Sequence, residues 1–251
     1  MMENTKQETI GALVAKDYRL APVFEAFGID FCCKGNRSIE EACEKQNIEA
    51  EPVRIAVNKM LNSSNEGAQD FNFWPLDLLA DYIQKKHHRY VEERIPLLQQ
   101  YLDKLCQVHG QAHPELFEIT ELFNQSAGEL TAHMKKEEFI LFPHVSKMLK
   151  DHENQASEKS QPHFGSVKNP ISMMMAEHEN EGERFEKIAV LTDDFTPPED
   201  ACSTYRVTYA LLGEFKSDLH QHIHLENNIL FPKAIEMEEK GLASGKKNTV
   251  S

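Results

Sequence analysis

Apolar residues recur along this chain mainly at helical spacing, three and four positions apart. The stripe Val91, Ile95, Leu98 and Leu102 is one example, and it marks a single face of a helix. Alternating strand-like runs bounded by turn residues are essentially missing from the sequence. The pattern therefore predicts an all-α protein.

The first part of the chain, residues 1–61, is predicted to form a small helical domain. An apolar segment over residues 21–27 runs into Gly28, a typical residue just after a helix C-terminus. Ser38 is followed three positions later by Glu41, which is the pattern of a capping box. These signals predict short helices with defined ends.

Residues 62–73 offer little to bury and are predicted to be a linker. A larger domain over residues 74–240 follows, and residues 241–251 are expected to be a flexible tail. Pro75 and the Thr196-Pro-Pro-Glu199 segment are typical of helix starts. Four long helices are predicted in this domain, over about 75–108, 114–150, 170–192 and 196–240.

Composition narrows the class of protein. Charged residues are 27% and hydrophobic residues 40% of the chain, as in globular proteins, and no apolar run reaches the length of about 20 residues that a membrane span needs. The N-terminal residues lack the basic and apolar parts of a secretory signal, so we expect a cytoplasmic protein. The net charge of -14 disfavours nucleic-acid binding.

The chain has an odd number of cysteines, which disfavours a disulfide framework in a chain that is not exported. We expect the five cysteines to be mostly reduced thiols: Cys32, Cys33, Cys43, Cys106 and Cys202.

An internal repeat carries the candidate chemistry. His133 and Glu137 are four residues apart, as are His222 and Glu226, and each pair is followed by Ile-Leu-Phe-Pro. Residues four apart share one helix face, so each pair directs an imidazole and a carboxylate to one place. A single pair arises often by chance and would be only a weak surface contact, but two copies in register indicate two metal half-sites.

The partner helices also correspond. His178 lies 44 residues before His222, with apolar residues on both sides at inward spacing, so it is predicted to be a ligand. The pair His87-His88 lies about 45 residues before His133, and the periodicity does not choose between its two members. The remaining histidines are expected to face solvent or lie at helix ends: His109, His113, His144, His152, His163, His220 and His224.

Four imidazoles and two carboxylates suit iron, manganese or zinc, and the absence of a thiolate set in the bundle disfavours structural zinc or an iron-sulfur cluster there. We predict two non-haem iron ions joined by an oxo or hydroxo bridge. Cores of four-helix bundles are known to hold metal pairs of this kind.

These motifs resemble the iron-sulfur cluster repair di-iron proteins, the RIC family, whose bundle is hemerythrin-like. The likeness covers nearly the whole chain. It includes the segments Leu20-Ala-Pro-Val-Phe24, Gly28-Ile-Asp-Phe-Cys32-Cys33-Lys-Gly35, His88-x-Tyr90, Glu177-His178-Glu179 and His222-x-x-x-Glu226.

The resemblance implies a hemerythrin-like up-down four-helix bundle after the small domain. The family pattern places a proline eight residues after its first ligand histidine, and counting back from Pro96 selects His88. One departure is visible, since Lys34 stands where the family commonly has the first of two glycines. The implied metal ligands are His88, His133, Glu137, His178, His222 and Glu226.

The function that the resemblance implies is repair of iron-sulfur clusters damaged by nitric oxide or oxidative stress, with labile iron supplied to the damaged protein. The implied partners are damaged iron-sulfur proteins, small ligands such as NO or O2, and a second copy of the chain in a homodimer. Two other functions stay open: reduction of nitric oxide or peroxide at the metal pair, and reversible binding or sensing of NO or O2.

Cys32 and Cys33 have two interpretations. They are either two small thiols buried in a turn, or a redox or iron-relay pair that assists the metal site. A disulfide between adjacent cysteines is strained and is disfavoured.

Overall fold

The computed structural model describes residues 8–63, 70–154 and 162–247, and within these ranges the chain forms helices and no strands. The all-α prediction is therefore confirmed. The chain divides into two compact units. The first unit comprises Met1–Leu79 and Ile223–Ser251, and the second comprises Ala80–His222. No helix in the described ranges is both long and apolar enough to cross a membrane.

Four short helices form the N-terminal part of the first unit: α1 (Ile10–Lys16), α2 (Ala21–Ala26), α3 (Ile39–Gln46) and α4 (Ala50–Leu61). The predicted end signals are present. Gly28 takes a positive φ of 67° just after α2. At the start of α3, Ser38 Oγ accepts the Glu41 N–H at 3.2 Å, and the Glu41 carboxylate accepts the Ser38 N–H at 2.8 Å.

Four long helices follow: α5 (76–109), α6 (115–153), α7 (Lys168–Leu191) and α8 (203–247). Three of them contain a π-helical segment, at Ile83–His88, Glu137–Leu141 and Glu226–Leu230. The predicted linker includes residues 64–69, which lie outside the described residues.

Side-chain contacts inside the second unit give the directions of these helices. Along α5, His88, Glu92 and Gln99 contact Glu138, Lys135 and Asn124 of α6, at 2.9, 2.8 and 2.8 Å. The numbers rise on one helix as they fall on the other, so α5 and α6 are antiparallel. The same order relates α6 to α7, where residues 126 and 133 contact residues 181 and 177.

An aromatic cluster fills the middle of the second unit. Phe185 stacks on Phe215 with ring centroids 5.4 Å apart, and Phe123 meets Phe215 edge-on at 5.5 Å. All three side chains are buried. Because they come from α7, α8 and α6, the cluster joins three of the four helices at one level and fixes their spacing.

The last helix differs from the prediction at both ends. It begins at Ser203 instead of residue 196, and the predicted start is disfavoured because Pro198 opposes helical backbone at Pro197. Before it, Asp193, Asp194 and Phe195 all take positive φ angles of 48°, 51° and 59°. The helix also continues to Lys247, past the predicted end at residue 240. Gly241 costs only about 1 kcal/mol in a helix, and two strong helix formers, Leu242 and Ala243, directly follow it.

Candidate metal centre

Buried imidazoles and carboxylates meet inside the second unit in two groups. His88, Glu137 and His222 offer ligand atoms within 4.8 Å of one another, and so do His133, Glu137 and His178. Each of these five side chains is at most 3% exposed. Burying such a polar set is unfavourable unless its members are paired or bind a metal ion.

Glu137 belongs to both groups and divides its oxygens between them. Its Oε1 lies 3.2 Å from Nε2 of His133, and its Oε2 lies 3.4 Å from Nε2 of His88. A carboxylate held in this way can bridge two neighbouring ions. The structure thus gives Glu137 a position that the His-x-x-x-Glu spacing alone does not distinguish from that of an ordinary ligand.

His133 and His178 direct their Nε2 atoms at each other across a distance of 2.9 Å. Both rings are buried. Two imidazole nitrogens that converge beside a carboxylate oxygen are a donor set that suits a borderline metal ion such as iron or zinc. The residues present therefore fit a metal ion in this position.

Two further carboxylates hold the imidazoles from behind. Nδ1 of His88 lies 2.9 Å from Oε1 of Glu138, and Nδ1 of His133 lies 2.7 Å from Oε2 of Glu177. If each Nδ1–H donates to its carboxylate, each Nε2 keeps its lone pair for a metal. Glu138 and Glu177 were not predicted to support the site, although Glu138 directly follows one predicted ligand and Glu177 directly precedes another.

Two lysines bind these supporting carboxylates. Lys135 Nζ lies 2.8 Å from Glu138, and Lys136 Nζ contacts Glu177. Partial burial raises the pKa of each carboxyl, but the hydrogen bonds from lysine and histidine outweigh it and lower the pKa overall. Both carboxylates are therefore charged at neutral pH.

Glu226 lies one helical turn beyond His222 on the same helix and is fully buried. A π-helical segment begins at Glu226, just as one begins at Glu137. In each copy the N–H that closes the segment, from Phe231 or Phe142, bonds to the carbonyl of that glutamate. A proline, which lacks the N–H for an α-helical bond, comes two residues after each segment and accounts for the altered pairing.

The structure separates the two members of the His87-His88 pair. His88 is in one of the two groups, whereas Nδ1 of His87 lies 3.0 Å from Asp218 and its ring stacks on His222 with centroids 5.7 Å apart. Burial lowers the pKa of His87. His87 is thus a neutral neighbour of the candidate ligands.

A cavity of about 200 Å³ adjoins the His133–His178 pair. Leu130, Lys136 and Glu181 are among the residues that line it. The cavity therefore has room for a small molecule beside two of the predicted ligands.

Comparison with known proteins agrees with this geometry. Residues 79–234 match the hemerythrin HHE cation-binding domain, and residues 6–60 match ScdA_N, a domain of unknown function. The chain is 31% identical to the iron-sulfur cluster repair protein ScdA of Staphylococcus haemolyticus, over 90% of this chain and 97% of that protein. It is 33% identical to the iron-sulfur cluster repair protein YtfE of Yersinia pestis, over 93% and 99% of the two chains. The chain belongs to the ScdA/YtfE family of iron-sulfur cluster repair proteins.

The family resemblance inferred from the sequence is thus confirmed, and with it the hemerythrin-like bundle. At position 34, the departure from the family's two glycines has a simple explanation. Lys34 is not among the described residues with positive φ, so a lysine fits its backbone.

The expectation that His220 and His224 face solvent is wrong. They are 9% and 1% exposed. His224 lies 3.1 Å from the amide of Asn228, and its ring contacts Phe31 and Tyr18 at centroid distances of 5.7 and 5.9 Å. Burial lowers the pKa of His224 to about 3, so it is a neutral side chain packed in the first unit.

The two adjacent thiols of the family's N-terminal domain lie in the first unit. Cys32 is buried and Cys33 is half-buried, and their sulfur atoms are 3.7 Å apart, so no disulfide joins them. The neighbouring Cys33 and burial raise the pKa of Cys32 well above its usual range. The Cys32 thiol is therefore protonated at neutral pH when no metal is bound.

Proposed function

We propose that the chain repairs damaged iron-sulfur clusters and that its buried His/Glu cluster holds two iron ions. The relatives named above are repair proteins, and the chain is similar to them over almost its full length. The observation that carries the two-ion arrangement is the shared position of Glu137 between two groups of imidazoles.

In this arrangement His88 and His222 would hold one ion, and His133 and His178 would hold the other. Glu137 would contribute to both, and Glu226 would be a further carboxylate ligand, since it lies on the same helix face as His222. Such a set of four imidazoles and two carboxylates would not fill every ligand position of two iron ions, so it would leave room for an exchangeable ligand.

Bound iron would supply exchangeable metal to a damaged cluster. The protein's part is to present neutral imidazoles with oriented Nε2 atoms and to keep bulk water from the ligands. With four histidines in place of a larger set, the ions are held less completely than in a closed site, which favours release. We further propose that the protein acts in the cytoplasm, as a homodimer, on iron-sulfur proteins damaged by nitric oxide or oxidation.

Two measurements test this function. The first is iron per chain in anaerobically purified protein, with about two ions expected for wild type and clearly fewer for His133→Ala and Glu226→Ala. His163→Ala, which changes an exposed histidine, is the matched control. Equal iron in all four proteins would reject the site.

The second measurement is reactivation of an iron-sulfur enzyme whose cluster nitric oxide has damaged. The iron-loaded wild type should restore activity faster than an equal amount of free ferrous iron, and His133→Ala should not. If loaded protein and free iron act at the same rate, the repair function is rejected even where the metal count is two.

A further inference from the structure

We propose that Asp30, Cys32 and Cys33 form a second metal site, which binds a borderline-soft divalent cation such as Fe²⁺ or Zn²⁺ through two thiolates and one carboxylate. One ligand atom from each of these residues lies within 4.8 Å of those of the other two. This site has a sulfur-rich donor set and is made entirely by residues of the first unit.

The distances between the donors match those around a tetrahedral ion. Two sulfur ligands at about 2.3 Å from a tetrahedral metal lie about 3.8 Å apart, and a sulfur and an oxygen ligand lie about 3.5 Å apart. The Cys32 and Cys33 sulfurs are 3.7 Å apart, and the Cys32 sulfur is 3.4 Å from Asp30 Oδ1. The donors of Cys33 and Asp30 also lie within 4.8 Å of each other, so a metal ion fits between the three side chains with only small movements of their ends.

The loop is already held in the binding conformation. Oδ1 of Asp30 accepts the backbone N–H groups of Cys32 at 3.0 Å and Cys33 at 2.9 Å. This turn fixes the carboxylate on the same side of the backbone as both thiols. Because the ligands are pre-organised, little conformational entropy is lost when an ion binds.

Three protein ligands leave a fourth tetrahedral position for water or for a ligand from another protein. Cys33 is half-buried, whereas Cys32 is 3% exposed, so the ion is approached from the Cys33 side. A cysteine binds the ion as a thiolate, so each thiol that binds gives up its proton to solvent as its metal–sulfur bond forms. An open, three-ligand site of this kind suits an ion in transit better than a structural ion.

The same loop is bound to the helix turn that carries Glu226. Asn227 and Asn228 directly follow Glu226, and the amide of each lies 3.3 Å from the carbonyl oxygen of Cys32. Asn228 also donates to the carbonyl of Phe31 at 3.3 Å. A displacement of the Glu226 turn is therefore passed to the thiol loop. The role of this site as a station for iron that leaves the His/Glu cluster rests on the proposed function, but its existence does not.

Cobalt(II) added to the reduced, metal-free, full-length protein tests the site. A thiolate-bound cobalt ion gives a near-ultraviolet sulfur-to-cobalt charge-transfer band, whereas cobalt bound to imidazole and carboxylate does not. We expect this band in wild type, with a final intensity that corresponds to one thiolate-bound cobalt per chain, after the His/Glu cluster has also taken up cobalt. A wild-type protein without the band would overturn the proposal.

Matched variants show whether the charge-transfer band comes from cobalt bound at Asp30, Cys32 and Cys33. It should be lost in Cys33→Ser and should need at least about tenfold more cobalt in Asp30→Asn, which keeps the oxygen that accepts the two N–H groups. It should be unchanged in Cys202→Ser, which removes an exposed cysteine of the second unit. A band that persists in Cys33→Ser would overturn the proposal.

A second measurement does not depend on the folding of a cysteine variant. Zinc should slow alkylation of Cys33 by a maleimide in wild type, and slow it much less in Asp30→Asn. Equal protection in the two proteins would count against the site. The variant His133→Ala separates the two proposals, because it should lose iron from the His/Glu cluster and keep the charge-transfer band.

Discussion

The carboxylate of Glu177 lies 2.7 Å from Nδ1 of His133, while Nε2 of the same ring lies 3.2 Å from Glu137. The imidazole is thus held between two carboxylates, one behind it and one in the candidate metal site. A carboxylate behind a ligand histidine fixes its tautomer and orientation and makes it a stronger donor. Lys136 in turn contacts Glu177 and limits its movement.

Glu177→Gln should therefore weaken metal binding by about 10- to 100-fold without removing any ligand. The amide keeps the size of the side chain but loses the charge that stabilises the Nδ1–H. Competition against a ferrous chelator measures the affinity. Glu183→Gln, an exposed position on the same helix, should leave it unchanged. Equal affinity in the wild type and Glu177→Gln would contradict the supporting role.

Glu181, a buried carboxylate beside the candidate metal centre, accepts a hydrogen bond from the hydroxyl of Ser126. Ser126 Oγ donates to Oε2 of Glu181 at 2.7 Å, and Arg184 contacts the other oxygen. Ser126 and Glu181 are 0% and 2% exposed, so their hydrogen bond is formed in a buried environment. Ser126→Ala should lower the free energy of unfolding by about 1.5–3 kcal/mol, the range for hydrogen bonds to charged groups.

Urea denaturation measures this change, and Ser172→Ala, at an exposed position of α7, is its control. The control should differ from wild type by less than about 0.5 kcal/mol. If both variants unfold at the same urea concentration, the Ser126 bond contributes nothing to stability.

The raised pKa of His113 predicts that the stability of the fold depends on pH. A hydrogen bond to Asp200 raises the pKa of His113, burial lowers it, and a second hydrogen bond to Glu115 raises it again, with a net rise. A group whose folded pKa is raised stabilises the fold fully below its unfolded pKa, which is about 6.5 for histidine. This contribution is lost as the pH rises through the folded pKa.

The melting temperature of His113→Asn should therefore fall further below that of wild type at about pH 5.5 than at about pH 8.5. His163→Asn, which changes an exposed histidine, should show the same small difference at both pH values. A wild-type advantage that stays constant over this range would show that the His113 ion pairs do not contribute.

The parts of the structure that the sequence predicted depend on residues close together in the chain. The capping box joins Ser38 to Glu41, and the helix stop at Gly28 depends on one backbone angle. The His-x-x-x-Glu pairs follow from one helical turn. Each of these signals is complete within a few residues, so no knowledge of the packing is needed to recognise it.

The parts that were missed depend on distant contacts or on competing local rules. Glu177 supports His133 across 44 residues of sequence, and nothing at either position marks the pairing. His224 follows His222 by two residues and so lies on a different face of the helix, but this face packs against Phe31 and Tyr18 and is therefore buried. At the start of α8, a capping pattern competed with two consecutive prolines, and the prolines prevailed.

The tight packing of the thiol loop in the first unit predicts opposite effects for two glycines. A Cβ atom on Gly11 would lie 2.2 Å from Oδ1 of Asn228 and 3.1 Å from the carbonyl oxygen of Gly35. Asn228 does not move aside freely, because its amide is bonded to the carbonyls of Phe31 and Cys32. A Cβ atom on Gly128, within helix α6, would meet nothing within 4 Å.

Gly11→Ala should therefore destabilise the protein by about 1–3 kcal/mol, as overpacked sites do. Gly128→Ala should stabilise it by about 0.5–1 kcal/mol, because alanine is the better helix former and its methyl group is unobstructed. Urea denaturation of the two variants beside wild type measures both changes. In Gly11→Ala the displaced Asn228 should also loosen the loop, so Cys33 should react with a maleimide faster than in wild type, while Gly128→Ala should leave that rate unchanged. Stabilisation by both substitutions would mean that the Asn228 amide is not fixed on the loop.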